Sequence, residues 1–215
     1  MNANSLATVP QRFSYRKVEQ SARRRRILDA AEAAFSARGY HEASITEIAI
    51  RADLAAGTIY LYFQDKADLY GNVIVEKMNE VVSHVEAAIR SNVSAKVSLR
   101  AAVQALFAYH ESNREFFELF LHQQQIATSP LNGGHWNEIE ELKRRNLTSI
   151  ERCVVRGQQS GELKPGDPRL YAVTFLGITL QMIRQWIREQ SRGDLSASVD
   201  FAADCFLNGA AMVRS

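Results

Sequence analysis

The chain has 215 residues, 46% of them hydrophobic and 23% charged, with a net charge of +2. That is long enough for one large or two small globular domains of ordinary composition. Cys153 and Cys205 are the only cysteines and lie far apart, which excludes a disulfide framework and a cysteine metal motif and makes a reducing cytoplasm the expected location.

The charge is unevenly placed. Residues 1–66 hold ten Lys/Arg against seven Asp/Glu, and residues 67–215 hold sixteen against seventeen. A basic front end on a near-neutral body points to an anionic partner met at one end. No signal-peptide run opens the chain. The most apolar stretch, LYAVTFLGITL at 170–180, is about half a membrane span and reads as a buried helix. No membrane partner is expected.

In chain order, residues 1–20 are polar and unpatterned and read as a flexible basic tail. A first helix follows over Arg23–Arg38, with Ile27, Ala30, Ala31, Ala34 and Phe35 as its apolar stripe and Gly39 stopping it. Its start is RRRR at 23–26. Positive charge there opposes the helix dipole by a few tenths of a kcal/mol per residue, so phosphate contact by Arg23 and Arg24 is the functional reading and a solvated charge run the plain one. Ser44-Ile-Thr-Glu47 is a capping box that opens a second helix with Ile45, Ile48, Ala49 and Ala52 on its buried face. Asp53 and Leu54 make a turn, Ala56–Phe63 a third helix, and Asp65 caps a fourth that runs to about Ser91. Five more helices are predicted near 95–111, 113–127, 135–160, 168–191 and 195–213. No strand pattern appears. The prediction is an all-α protein of about nine helices, with a head over 21–67 and a body over 68–215 joined through the long fourth helix.

A tight connection between the second and third helices is the outline of a helix-turn-helix. Ile59 and Phe63 lie four apart and should face the core, leaving Ala56, Gly57, Thr58, Tyr60 and Leu61 outward with Tyr62 at the edge. A threonine hydroxyl, a leucine that can meet a thymine methyl and a glycine permitting close approach suit base-edge readout, while tyrosine hydroxyls suit phosphates. The competing reading makes the tyrosines core or dimer residues.

The stretch ILDAAEAAFSARGYHEASITEIAIRADLAAGTIYLYFQDKADLY resembles the DNA-binding domain of the TetR family of transcriptional regulators. The resemblance is carried by Gly39-Tyr40, Ser44, Ile48-Ala49, Ala52, Gly57-Thr58-Ile59-Tyr60, Phe63, Lys66 and Leu69. It implies that Thr46, Thr58, Tyr60, Leu61, Tyr62 and Lys66 contact DNA, with Ser44 capping the second helix and near phosphate. Two positions depart from the family pattern: Asp53 stands where a turn glycine is usual, and Ala55 where a Ser or Thr cap is usual.

The rest of the chain resembles the family in architecture, a helical body that binds a small-molecule effector and dimerises. The resemblance implies a homodimer built on the last two helices, where Val173, Gly177, Leu180 and Arg184 share one face and Val199, Ala203, Phe206, Leu207 and Ala210 line the other helix. A monomer core would explain the same pattern. Phe107, His110, Phe120, Trp136, Asn146, Cys153, Phe175 and Met182 are the candidate effector-lining residues, each also explicable as core packing. GTIYLYF, KADL and VEKM also resemble the branch that represses fatty-acid degradation and senses acyl-CoA; other lipophilic effectors remain open. No cofactor, metal or catalytic set is expected: the five histidines have no metal spacing, and Glu140 and Glu141 point apart on a helix. The expected function is a ligand-responsive repressor that binds a near-palindromic double-stranded operator as a homodimer. A helical protein–protein adaptor with a basic head is the alternative.

Overall fold

The computed structural model describes residues 10–90, 94–118, 131, 133–189 and 193–210, which form helices and short connections with no β-strand among them. The helices are α1 (Pro10–Glu42), α2 (Ile45–Arg51), α3 (Ala56–Ile59), α4 (Lys66–Arg90), α5 (Ala95–Ser112), α6 (Gly133–Gln159), α7 (Pro168–Arg188) and α8 (Val199–Ala210), the last preceded by a 3-10 turn at Ser196–Ser198. Residues 114–118 are also helical; the remainder of the helix expected over 113–127 lies outside the described residues. The chain divides into two compact units, Met1–Val73 and Ile74–Ser215.

In the first unit, α1 starts at Pro10, so the helix reaches back through half of the stretch read from sequence as a tail. Proline is tolerated in a first helical turn, and nothing between it and Gly39 breaks a helix. In this part the side chains of residues 18–20 are exposed. The stripe begins at Ile27 and continues through Ala30, Ala31, Ala34 and Phe35, all buried. Gly39 ends the regular helix at φ 81°, ψ 167°, a conformation open essentially to glycine alone.

Helix α2 packs on α1 and on α3. Ser44 Oγ accepts the Glu47 N–H at 3.1 Å, which is the serine half of the capping box. The Glu47 carboxylate turns instead to Arg51 at 3.1 Å and Arg38 at 3.5 Å. Asp53 takes φ 53°, so the aspartate occupies the left-handed turn position, which Asp tolerates better than most residues. Ala55 supplies no side-chain cap to α3. At the start of α4, Asp65 Oδ1 accepts the Asp68 N–H and Asp68 Oδ2 accepts the Gln64 N–H, both at 2.8 Å, a reciprocal cap.

In the second unit, α6 packs along α7, α7 on α8, and α5 against all three. Leu99, Val103, Leu106 and Phe107 of α5, Ile139, Ile150 and Val154 of α6, Phe175 and Ile183 of α7 and Phe206 of α8 are buried, with Phe175 and Phe206 edge to face at 5.3 Å. Gly157 permits close approach: a Cβ there would stand 2.7 Å from the Ala95 Cβ. Arg145 grips Glu86 through two hydrogen bonds of 2.8 and 2.6 Å.

Glu162 locks the α6–α7 connection onto the start of α5. Its carboxylate accepts the Ser94 hydroxyl at 2.5 Å and the N–H groups of Ala95 and Lys96 at 3.2 and 3.1 Å. Burial alone would raise its pKa, but these bonds outweigh burial and hold it down at about 2, from an ordinary 4.5. A depressed carboxylate contributes stability that is complete above its unfolded pKa and is lost as pH falls through the folded one. Glu162→Gln is therefore expected to cost about 1–2 kcal/mol near neutral pH, measured by urea unfolding. The gap from wild type should close as pH falls from about 4.5 toward 2.

Candidate nucleic-acid interface

The helix-turn-helix presents its reading turn by anchoring every third or fourth residue. Ile59 is fully buried and Phe63 nearly so, so the intervening residues project. Tyr60 is 56% exposed and Leu61 81%; Gly57 is exposed, and Ala56, Thr58 and Tyr62 are half-buried. Helix α3 is shorter than expected, ending at Ile59, because the backbone tightens into turns: Leu61 N–H donates to Thr58 O at 3.2 Å and Tyr62 N–H to Ile59 O at 2.9 Å. The direction of each side chain is preserved through this tightening. A Cβ at Gly57 would meet nothing within 4 Å, so its surroundings are open. Thr46 and Ser44 are exposed at the start of α2.

The arginine run is more committed within the fold than the sequence suggests. Arg26 Nη2 donates to the Ala52 carbonyl at 2.5 Å, satisfying the end of α2. Arg24 donates to Asn72 Oδ1 at 2.6 Å and lies 5.4 Å over the Phe63 ring. Asn72 in turn donates to the Asp68 carbonyl and carboxylate, each at 2.9 Å. Arg24 is thus a clamp between α1 and the start of α4 as well as a phosphate candidate. Arg25 pairs with Asp29 at 2.9 Å and Arg23 with Glu19 at 2.6 Å. Because α1 begins at Pro10, the run lies inside the helix and not at its start as expected from sequence, so no helix-dipole penalty acts on it.

Lys66 is tied down likewise. Its Nζ donates to the His41 carbonyl at 3.0 Å and lies 4.7 Å from the Tyr40 ring centroid. Burial lowers its pKa, Glu42 opposing. One exposed apolar residue escaped the sequence reading: Ile50, 74% exposed, four residues beyond Thr46 and on its face of α2. That spacing was the signal available.

In the second unit, Phe107, His110, Asn146, Cys153 and Phe175 are buried, Trp136 and Met182 are half-buried, and Phe120 lies outside the described residues. His110 Nδ1 lies 2.7 Å from the Leu106 carbonyl, which can only accept, so that nitrogen carries the proton. Burial drives the imidazole pKa down to about 4 against this bond, and the ring is neutral, stacked 4.3 Å from Phe117. Burial raises the Cys153 thiol pKa, with Arg156 opposing. The Asn146 Oδ1 is buried with no hydrogen-bond partner among the described residues.

The last two helices divide differently from the sequence expectation. On α7, Val173, Gly177 and Arg184 are exposed and Leu180 is half-buried. On α8, Val199, Ala203 and Phe206 turn into the protomer's own core and Leu207 is half-buried, while the side chain of Ala210 lies outside the described residues. Val199, Ala203 and Phe206 pack inward on one side of α8, while Phe201 is exposed on the other side among Asp200, Asp204 and Asn208. Leu170 and Phe201 are instead the large exposed apolar groups on these helices.

Among the described residues no three His, Cys, Asp or Glu side chains gather as a metal site requires, and no helix is long and apolar enough to cross a membrane.

The chain is similar to the fatty acid metabolism regulator protein of Bacillus subtilis, 28% identical over 184 residues covering 85% of this chain and 93% of that protein. It is 27% identical to the transcriptional activator FasR of Mycolicibacterium smegmatis over 86% of this chain and 81% of that one. Among solved structures, FadR from B. subtilis in complex with stearoyl-CoA superposes with a TM-score of 0.72 at 28% identity, over 86% of this chain and 97% of that one. These relatives are transcriptional regulators. Residues 27–73 match the model of bacterial regulatory proteins of the tetR family, the region of the anchored reading turn. Residues 92–210 match the tetracycline repressor-like C-terminal domain, and with both of its units accounted for the chain belongs to the TetR family.

Proposed function

We propose that the chain is a homodimeric repressor whose head, residues 21–67, binds a near-palindromic operator and whose body, residues 68–215, releases it on binding a lipophilic effector, a long-chain fatty acyl-CoA. The observation that carries the DNA reading is the uncharged, exposed turn around Tyr60 and Leu61 set between the buried Ile59 and Phe63. Thr46, Thr58, Tyr60, Leu61 and Tyr62 read or position the operator; Arg23 supplies phosphate contact.

Dimerisation through α7 and α8 is supported by the exposed Leu170, Val173 and Phe201 and by the open space at Gly177 and Gly209. A two-fold protein matches a two-fold operator. The acyl-CoA proposal is supported by the relative solved with stearoyl-CoA and by the apolar interior around Phe107 and Phe175. Helix α4 contributes residues to both units, and an effector that favours one placement of α4 changes the spacing of the two reading heads. Coupling of about 1–3 kcal/mol gives regulation of about 5- to 150-fold.

The test is footprinting and gel shift on the DNA around the chain's own gene. A protected near-palindrome with half-sites about one helical turn or more apart, binding that weakens steeply with salt, and release by stearoyl-CoA are expected. Salt-insensitive binding, or none, favours the adaptor reading. Binding without release by stearoyl-CoA overturns the effector. FasR, a relative, is an activator, so transcription from the bound promoter in vitro decides the sign of regulation: repression is expected, and stimulation would reverse it.

A further inference from the structure

Helix α1 extends beyond its buried stripe, which begins at Ile27. On that extension Glu19 and Arg23 form an ion pair at 2.6 Å, with side chains 63% and 46% exposed. An exposed pair of this kind adds little to stability. Beside it lies an open notch of about 320 Å³ lined by Glu19, Gln20, Arg23, Leu61 and Tyr62. Three of its walls belong to α1, and the other two are the tip of the reading turn.

A guanidinium, a carboxamide and a phenol hydroxyl are the groups that hold a DNA phosphate. Of the arginine run, Arg23 is the member that borders this notch. Arg24 and Arg26 are bound to Asn72 and to the end of α2. The fifth wall is of the wrong sign for a phosphate: the Glu19 carboxylate already occupies Arg23 and repels a second anion brought to the same guanidinium.

We infer that the notch seats a backbone phosphate alongside the reading turn and that Glu19 is a built-in brake on that contact. Glu19 holds one Arg23 nitrogen, Nη2, and offsets the guanidinium charge offered to the phosphate. The brake limits sequence-independent binding, the term that otherwise spreads the protein over non-specific DNA. The inference rests on the DNA-binding reading above and adds to it a negative regulator of affinity on the protein's own surface.

Glu19→Gln in the full-length chain tests it, on a duplex bearing the footprinted site and a scrambled duplex of equal length. Removing the carboxylate is expected to tighten both by about three- to tenfold at low salt. The slope of log affinity against log salt should steepen by about one. Arg23→Gln should weaken both, and the double variant Glu19→Gln/Arg23→Gln should bind as Arg23→Gln alone, because Glu19 acts through Arg23. Unchanged or weaker binding by Glu19→Gln overturns the brake. A gain confined to the operator duplex overturns the phosphate seat, and a gain that survives in the Arg23→Gln background reduces Glu19 to a general charge effect. If the wild type binds both duplexes equally, the operator reading falls while the Glu19 comparison still stands. Binding to neither overturns both.

Discussion

Ile59→Ala is expected to cost the helix-turn-helix about 2–5 kcal/mol, because it removes three buried carbons from a site that cannot collapse around the loss. Ile59 has no exposed surface and shares the interior of the first unit with Ile27, Phe35, Ile48, Phe63 and Leu69. A unit this small has a stability of only about 5–15 kcal/mol, so the loss takes a large share of it. Amide exchange over residues 44–63 of the full chain should accelerate by one to several orders of magnitude, and operator binding should fail with it. If exchange stays at the wild-type rate, the inward assignment of Ile59 is wrong.

Tyr60→Ala is expected to do the opposite. Tyr60 is the adjacent residue but is 56% exposed, so melting and amide exchange should stay close to wild type, within about 0.5 kcal/mol. Affinity for the footprinted operator should fall by about 10- to 100-fold, the 1–3 kcal/mol of a specific contact. Comparison with a scrambled duplex of equal length distinguishes the two roles a tyrosine can have here. A loss shared by a scrambled duplex marks a phosphate contact, and a loss confined to the operator marks base readout. Wild-type operator affinity in a folded Tyr60→Ala variant would remove Tyr60 from the interface.

The contrast between these neighbours was legible in the sequence, for a local reason. Residues 59 and 63 lie four apart, and helical spacing forces their side chains to one side, whatever else the protein does. The observed turn kept that facing even though regular α3 ends at Ile59. Gly39 and Asp53 were legible in the same way. Gly39 has a φ of 81° and Asp53 one of 53°, and each residue type is among the few that accept positive φ at modest cost.

The arginine run was not legible. Arg24 ends on Asn72, 48 residues on, and Arg26 on the Ala52 carbonyl, 26 residues on. Four adjacent arginines read from sequence as one patch with one purpose, yet they leave the helix in different directions and meet different neighbours. The apolar residues of α8 posed the same problem. Spacing grouped Val199, Ala203 and Phe206 correctly, but the outward face went to Phe201 and the inward one to that group.

Periodicity, capping residues and φ preferences act within a few residues, so the helices, the turn at Asp53 and the anchored reading turn follow from the chain's own order. Which charge answers which partner, and which apolar residues are covered, depends on residues brought together from distant positions. Only the packed protein decides those, because burial and Coulomb attraction depend on distance in space and not along the chain.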